Sequence, residues 1–177
     1  MASPARLIAV TVVGVDRPGI VAAITRVLYE RGCNLEDVSS TILRGHFSMM
    51  LVVGAPGDLD PDALEDELAA AGSDLGLTVT VRPVEAASTE VAQPTHMLSV
   101  YGADQPGIVF RVATSLAEAG VNITDLTSRV IGEPDSPVYA LMLEVVVPGG
   151  LDPDSLLSLG SDLDVEVSIH PVEADLL

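Results

Sequence analysis

Lysine is absent from this chain of 177 residues. All of its eight basic residues are arginine, against twenty-six acidic ones, for a formal net charge of −18. Without lysine there is no Schiff-base chemistry and no phosphate-gripping P-loop lysine. The arginines are scattered rather than clustered, and so large an acidic excess repels nucleic-acid phosphates and anionic membrane surfaces. On that balance we expect no direct nucleic-acid binding and no membrane association. No apolar run approaches the ~18 residues of a membrane span, and Leu7–Val15 reads as a strand rather than a signal peptide.

Other chemistry is missing too. No G-x-G-x-x-G follows a strand, and no G-x-S-x-G elbow occurs, which removes the dinucleotide fingerprint and the serine-hydrolase nucleophile. His46, His96 and His170 stand far apart, none within metal-ligand spacing of another histidine or of Cys33. Asp58–Asp62 begins like a calcium loop, but Ala63 and Ala69 occupy the places of its glycine and its bidentate glutamate. Catalytic residues, metal and cofactor are all expected to be none. The single cysteine, Cys33, cannot form an internal disulfide, which fits a reducing, cytoplasmic setting.

What is there is said twice. Gly14-Val-Asp-Arg-Pro-Gly-Ile-Val21 returns as Gly102-Ala-Asp-Gln-Pro-Gly-Ile-Val109, and Leu28, Gly32, Asn34 and Asp37 recur as Leu116, Gly120, Asn122 and Asp125. A repeat on this scale means two copies of one small domain. We place them at residues 1–86 and 95–177, with 87–94 as the linker. Cys33 has Val121 as its counterpart, so it reads as a small buried apolar residue.

Each copy reads βαββαβ. In the first, strand Arg6–Val13 is followed by a helix that Pro18 starts and Gly32 stops, with Ile20, Ile24, Val27 and Leu28 at helical spacing. Strands near Leu35–Leu43 and Phe47–Val53 flank the turn Arg44-Gly45-His46. Asp60-Pro61 then opens a second helix carrying Leu64, Leu68 and Ala71, and a last strand Thr78–Val81 follows. The second copy has a turn four residues longer between its middle strands and a second helix four residues shorter, ending near Gly160. The fold class is α+β: two ferredoxin-like domains, each a four-stranded antiparallel sheet with two helices on one face. The second strand's apolar positions step by three, Leu35 to Val38 and Ile123 to Leu126, where alternation needs two, so a bulge or late strand start is expected in both copies.

The repeated Asp-x-Pro-Gly-Ile-Val at a strand-to-helix turn suits a small zwitterion. A helix's first turn offers unpaired N–H groups and a partial positive charge to a carboxylate. Gly19 and Gly107 remove the Cβ that would hold a ligand away. Asp16 and Asp104 would accept from an ammonium group or else cap the helix; Asn34 and Asn122 supply donor and acceptor together. The same residues also have a plain structural reading, as a helix start and a helix exit.

The element order, the Asp-Arg-Pro-Gly-Ile-Val turn and Gly32-Cys-Asn-Leu-Glu-Asp37 resemble the ACT domain, a regulatory amino-acid-binding module. The tandem arrangement is similar to the family of the glycine cleavage system transcriptional repressor. The resemblance implies side-by-side pairing of domains into an eight-stranded sheet, with ligand between the strand-to-helix loop of one and the second strand of its partner. The matching residues are Asp16, Arg17, Pro18, Gly19 and Ile20 with Asn34, and Asp104, Gln105, Pro106, Gly107 and Ile108 with Asn122. Gln105 in place of Arg17, and Phe110-Arg111 in place of Ala22-Ala23, make the two sites non-equivalent. The expected function is a non-enzymatic, homodimeric sensor of an amino acid that signals through a regulatory protein partner; the alternative is a ligand-free pairing module.

Overall fold

In the computed structural model, the described residues are 6–85, 93–103, 105–133 and 136–172. Two compact units divide the chain, Met1–Ser88 and Thr89–Leu177, each with the order βαββαβ. The first contains β1 (Arg6–Val15), α1 (Ile20–Glu30), β2 (Asn34–Leu43), β3 (His46–Ala55), α2 (Pro61–Gly72) and β4 (Thr78–Pro83). The second contains β5 (His96–Ala103), α3 (Ile108–Glu118), β6 (Asn122–Glu133), β7 (Ser136–Val146), α4 (Leu159–Leu163) and β8 (Glu166–Pro171). Both sheets are antiparallel, in the orders β2-β3-β1-β4 and β6-β7-β5-β8. Most of the predicted linker, residues 87–92, lies outside the described residues.

Alternation sets the core. Ile8, Val10 and Val12 of β1 and Met49, Leu51 and Val53 of β3 point to the helix side, where Ile20, Ile24 and Leu28 of α1 and Leu64 and Leu68 of α2 cover them. The second unit repeats this with Leu98, Val100, Leu141 and Leu143 under Val112, Leu116 and Leu159. The edge strand β2 is exposed along its whole length. Its turn to β3 is two residues, Arg44 and Gly45, both at positive φ, the geometry that matches hairpin twist. The expected irregularity is present in both copies, as register shifts between Leu35 and Asp37 and between Ile123 and Asp125.

Several expectations need correction. Pro18 does not occupy the first helical position; the helix begins at Ile20, and Gly19 precedes it at φ +98. The four extra residues of the second hairpin go largely into longer strands, with only 134–135, outside the described residues, between β6 and β7. The shortened helix does not end at Gly160. A 3-10 turn, Pro153–Ser158, runs into the short α4. Ser155, Ser158 and Ser161 each donate a hydroxyl to the carbonyl three residues back, at 2.6, 2.9 and 2.9 Å, a local pairing that competes with regular helix.

Candidate functional site

The first loop leaves β1 at Val15 and is tied down when Asp16 N–H donates to Gly45 O, 2.8 Å away across the hairpin. Asp16, Arg17 and Pro18 are exposed, and Ile20 is buried as the loop's anchor in the core. No side chain caps α1, so the capping role open to Asp16 is not taken. The first helical bond is Ala23 N–H to Gly19 O, at 2.9 Å. Among the described residues the N–H groups of Gly19, Val21 and Ala22 have no acceptor, while the Pro18–Gly19 turn closes on Ile20. A Cβ built on Gly19 would meet nothing within 4 Å, so the space before these amides is open.

The second loop repeats the backbone. Gly107 has φ +95, no side chain caps α3, and Arg111 N–H donates to Gly107 O at 2.9 Å. Gln105 and Pro106 are exposed and Ile108 is buried. Asp104 lies outside the described residues. Beside this loop is a cleft of only about 20 Å³, lined by Gln105, Pro106, Ile108 and Arg111 among others, which is room for roughly one water.

Asn34 and Asn122 open β2 and β6 and are both exposed. They are not beside the loops of their own modules. Asn34 pairs across to Gly54, and Gly54 to Leu7 at the start of β1, whereas Asp16 follows the far end of that strand. Eight residues from Leu7 to Val15 correspond to about 26 Å. No single amino acid bridges that distance, so one module alone does not bring the two predicted halves together.

Sequence reasoning missed Glu36, the residue that bulges. Its Oε1 accepts from Asn34 Nδ2 at 3.1 Å and would lie 2.8 Å from a Cβ on Gly54. The step of three had pointed to the irregularity but not to which side chain it re-aims. Thr124 takes this place in the second copy and donates to Glu144 O at 3.1 Å. A groove of about 510 Å³ between α1 and the start of β2 was also missed; Ala22, Thr25, Arg26, Leu28, Tyr29, Cys33, Asn34 and Leu35 line it. Cys33 is half-buried at the groove, and desolvation pushes its thiol above the usual range. The reading of Cys33 as a buried residue is corrected to that extent. Among the described residues no His, Cys, Asp and Glu cluster could hold a metal, and no helix is long and apolar enough to cross a membrane.

The ACT domain family model matches residues 6–82, and a second ACT domain model matches residues 96–157. This chain belongs to the ACT-domain family. Its two ACT domains are 34% identical over 150 residues to a phosphoserine phosphatase of Mycobacterium tuberculosis, a match covering 83% of this chain and 36% of that enzyme's length. The first ACT domain is 47% identical over 74 residues to the UPF0237 protein of Methanopyrus kandleri, covering 41% of this chain and 82% of the relative. Among solved structures, a candidate glycine cleavage system transcriptional repressor shares the tandem fold, with a TM-score of 0.73, 20% identity, and 96% and 99% of the two chains covered.

Proposed function

We propose that this chain is a non-enzymatic sensor of a small amino acid, held between two ACT modules, whose occupancy is passed to a regulatory protein partner. The observation that carries the reading is the separation of the halves: open helix-start amides at one end of the sheet, Asn34 at the other. An antiparallel meeting of two such edges turns one module end for end. The start of one β2 then lies near the hairpin of the other, beside which Asp16 is pinned. The edge is suited to that contact, since Leu35, Val38, Ile42 and Leu43 are all exposed on it, and one unpaired strand edge is a template for another. A second copy of the chain would supply the second edge. A ligand bridging two modules favours the paired state by its differential affinity.

The two sites are not equivalent in this reading. The first module has Arg17 where the second has Gln105, and Ala22-Ala23 where the second has Phe110-Arg111. Any control of transcription runs through another protein, since a chain of net charge −18 is repelled by DNA. The ligand-free pairing module is favoured by one observation: φ of +98 and +95 demands glycine at both corners without any ligand.

A thermal-shift screen of the full chain with the twenty amino acids separates the two. Ligand at 100 times its dissociation constant adds about 2.7 kcal/mol, a rise of roughly 5–10 °C for a protein of this size. The sensor gives such a rise with one or a few amino acids, lost in Asn34→Ala and in Arg17→Ala. No rise with any of them leaves the pairing module.

A further inference from the structure

Arg26 stands out once the cations of the cavities are compared. Arg31 borders a groove of about 460 Å³, but Glu30 and Asp58 line that groove as well, and Glu67 grips the guanidinium, accepting from its Nε at 2.6 Å. Arg111 borders the second module's narrow cleft. Arg26 lines the 510 Å³ groove, and no acidic residue shares that lining. In a chain with twenty-six acidic residues and eight basic ones, a large groove whose one charged wall residue is a cation is a departure from the bulk composition.

The surroundings leave that charge available. Arg26 is exposed, and among the described residues no acid lies within ion-pair distance of it, Glu30 one turn beyond on α1 included. Glu36 is the acid nearest in sequence on the facing strand; it accepts from Asn34 and lies over Gly54, on the sheet face opposite the buried Val53 and Leu51. Thr25, also in the lining, donates its hydroxyl to Val21 O at 2.8 Å. Ala22, whose N–H is free, lines the same groove four residues before Arg26. Four residues are about 6 Å of helix rise, and long helical side chains lean back toward the N-terminus. A ligand of amino-acid length can therefore lie along α1 with its backbone end toward the open first turn and its side chain at Arg26.

We infer that Arg26 makes the first module selective for an amino acid whose side chain carries a second anionic group, a carboxylate or its like. The inference rests on the sensor reading above and sharpens it. The second module lacks the determinant: Thr114 replaces Arg26, Ala113 replaces Thr25, and Phe110, 73% exposed, replaces Ala22. Selectivity thus belongs to one module only.

Acid and amide pairs of equal shape isolate the charge. Calorimetry on the full chain with L-aspartate against L-asparagine, and L-glutamate against L-glutamine, is run for the wild type, Arg26→Gln and Arg111→Gln. The wild type binds one acid about tenfold or more tighter than its amide, a charged hydrogen bond's difference. Arg26→Gln erases that ratio by weakening the acid more than the amide and leaves the sedimentation coefficient unchanged; Arg111→Gln keeps the ratio. Equal affinity for acid and amide, or a ratio that survives Arg26→Gln, overturns the inference while leaving the sensor intact. A change of oligomeric state in Arg26→Gln overturns it as well, by assigning the cation to a protein contact. Binding of none of these four amino acids overturns the inference, while the twenty-amino-acid screen above still decides the sensor.

Discussion

Identical residues in the two copies carry different physical burdens, and glycine makes the point. Gly14 and Gly102 recur because there is no room: a Cβ on Gly14 would meet Leu77 Cδ2 at 2.6 Å, and one on Gly102 would meet Val165 Cγ1 at 2.6 Å. Gly19 and Gly107 recur because of backbone conformation, with open space around both. The repeat exposed all four to view, but it could not sort packing from turn geometry. Cys33 is a residue whose environment can be tested directly. Burial raises its thiol pKa, so the folded state favours the neutral form. Its contribution to stability is complete below the unfolded thiol's pKa and is lost as pH rises through the higher folded value. Alkylation of the native chain is expected to be slower at pH 8 than that of free cysteine, and to climb over a higher pH range. Because Cys33 lines the groove and is the only cysteine, a ligand lodged there slows the reaction further. Rates measured from pH 7 to 10, with and without ligand, check both statements; a rate equal to free cysteine's would show an unburied thiol.

At the scale of elements, the sequence told most where hydrophobic periodicity met punctuation. The face Ile20, Ile24, Val27 and Leu28 of α1 is buried as its spacing required, and Asp60 caps α2 by accepting from Asp62 N–H at 3.2 Å. Periodicity could not foresee the 3-10 turn before α4, because Asp152-Pro153 carries the same start signal as Asp60-Pro61; serine hydroxyls bonding locally, not apolar spacing, decided the outcome. The candidate site was legible as two motifs but not as a place, since spacing along a chain does not reveal that loop and strand start occupy opposite ends of one sheet. That arrangement makes the β2 edge the element to perturb. Val38 is 53% exposed, so Val38→Lys should change a module's own stability by no more than about 0.5 kcal/mol. A charge on an edge strand blocks edge pairing. Sedimentation velocity should show at least a tenfold weaker self-association, and denaturant unfolding at concentrations where both proteins are dissociated should show an unchanged midpoint. A lowered midpoint with association intact would place the residue in the core rather than at a contact.

For the whole molecule, charge sets the terms on which copies meet. At −18, two chains repel each other over distances that salt shortens to about 8 Å at physiological ionic strength and 3 Å at 1 M. The β2 edge that would join them is apolar at Leu35, Val38, Ile42 and Leu43, and apolar contact does not weaken with salt as ion pairs do. The two terms act oppositely on self-association, and only the repulsive one is screened. Association should therefore tighten steadily as sodium chloride rises from about 10 to 500 mM, steepest at the low end where the Debye length falls fastest. A contact built on ion pairs, of the kind Arg31 makes with Glu67 within the first module, would loosen over the same range. Sedimentation equilibrium across that salt series decides between them by the sign of the slope alone. Val38→Lys then ties the slope to the edge: if β2 is the contact, the variant stays at least tenfold weaker than the wild type at every salt concentration, whereas recovery of wild-type association at 500 mM would move the contact to another surface.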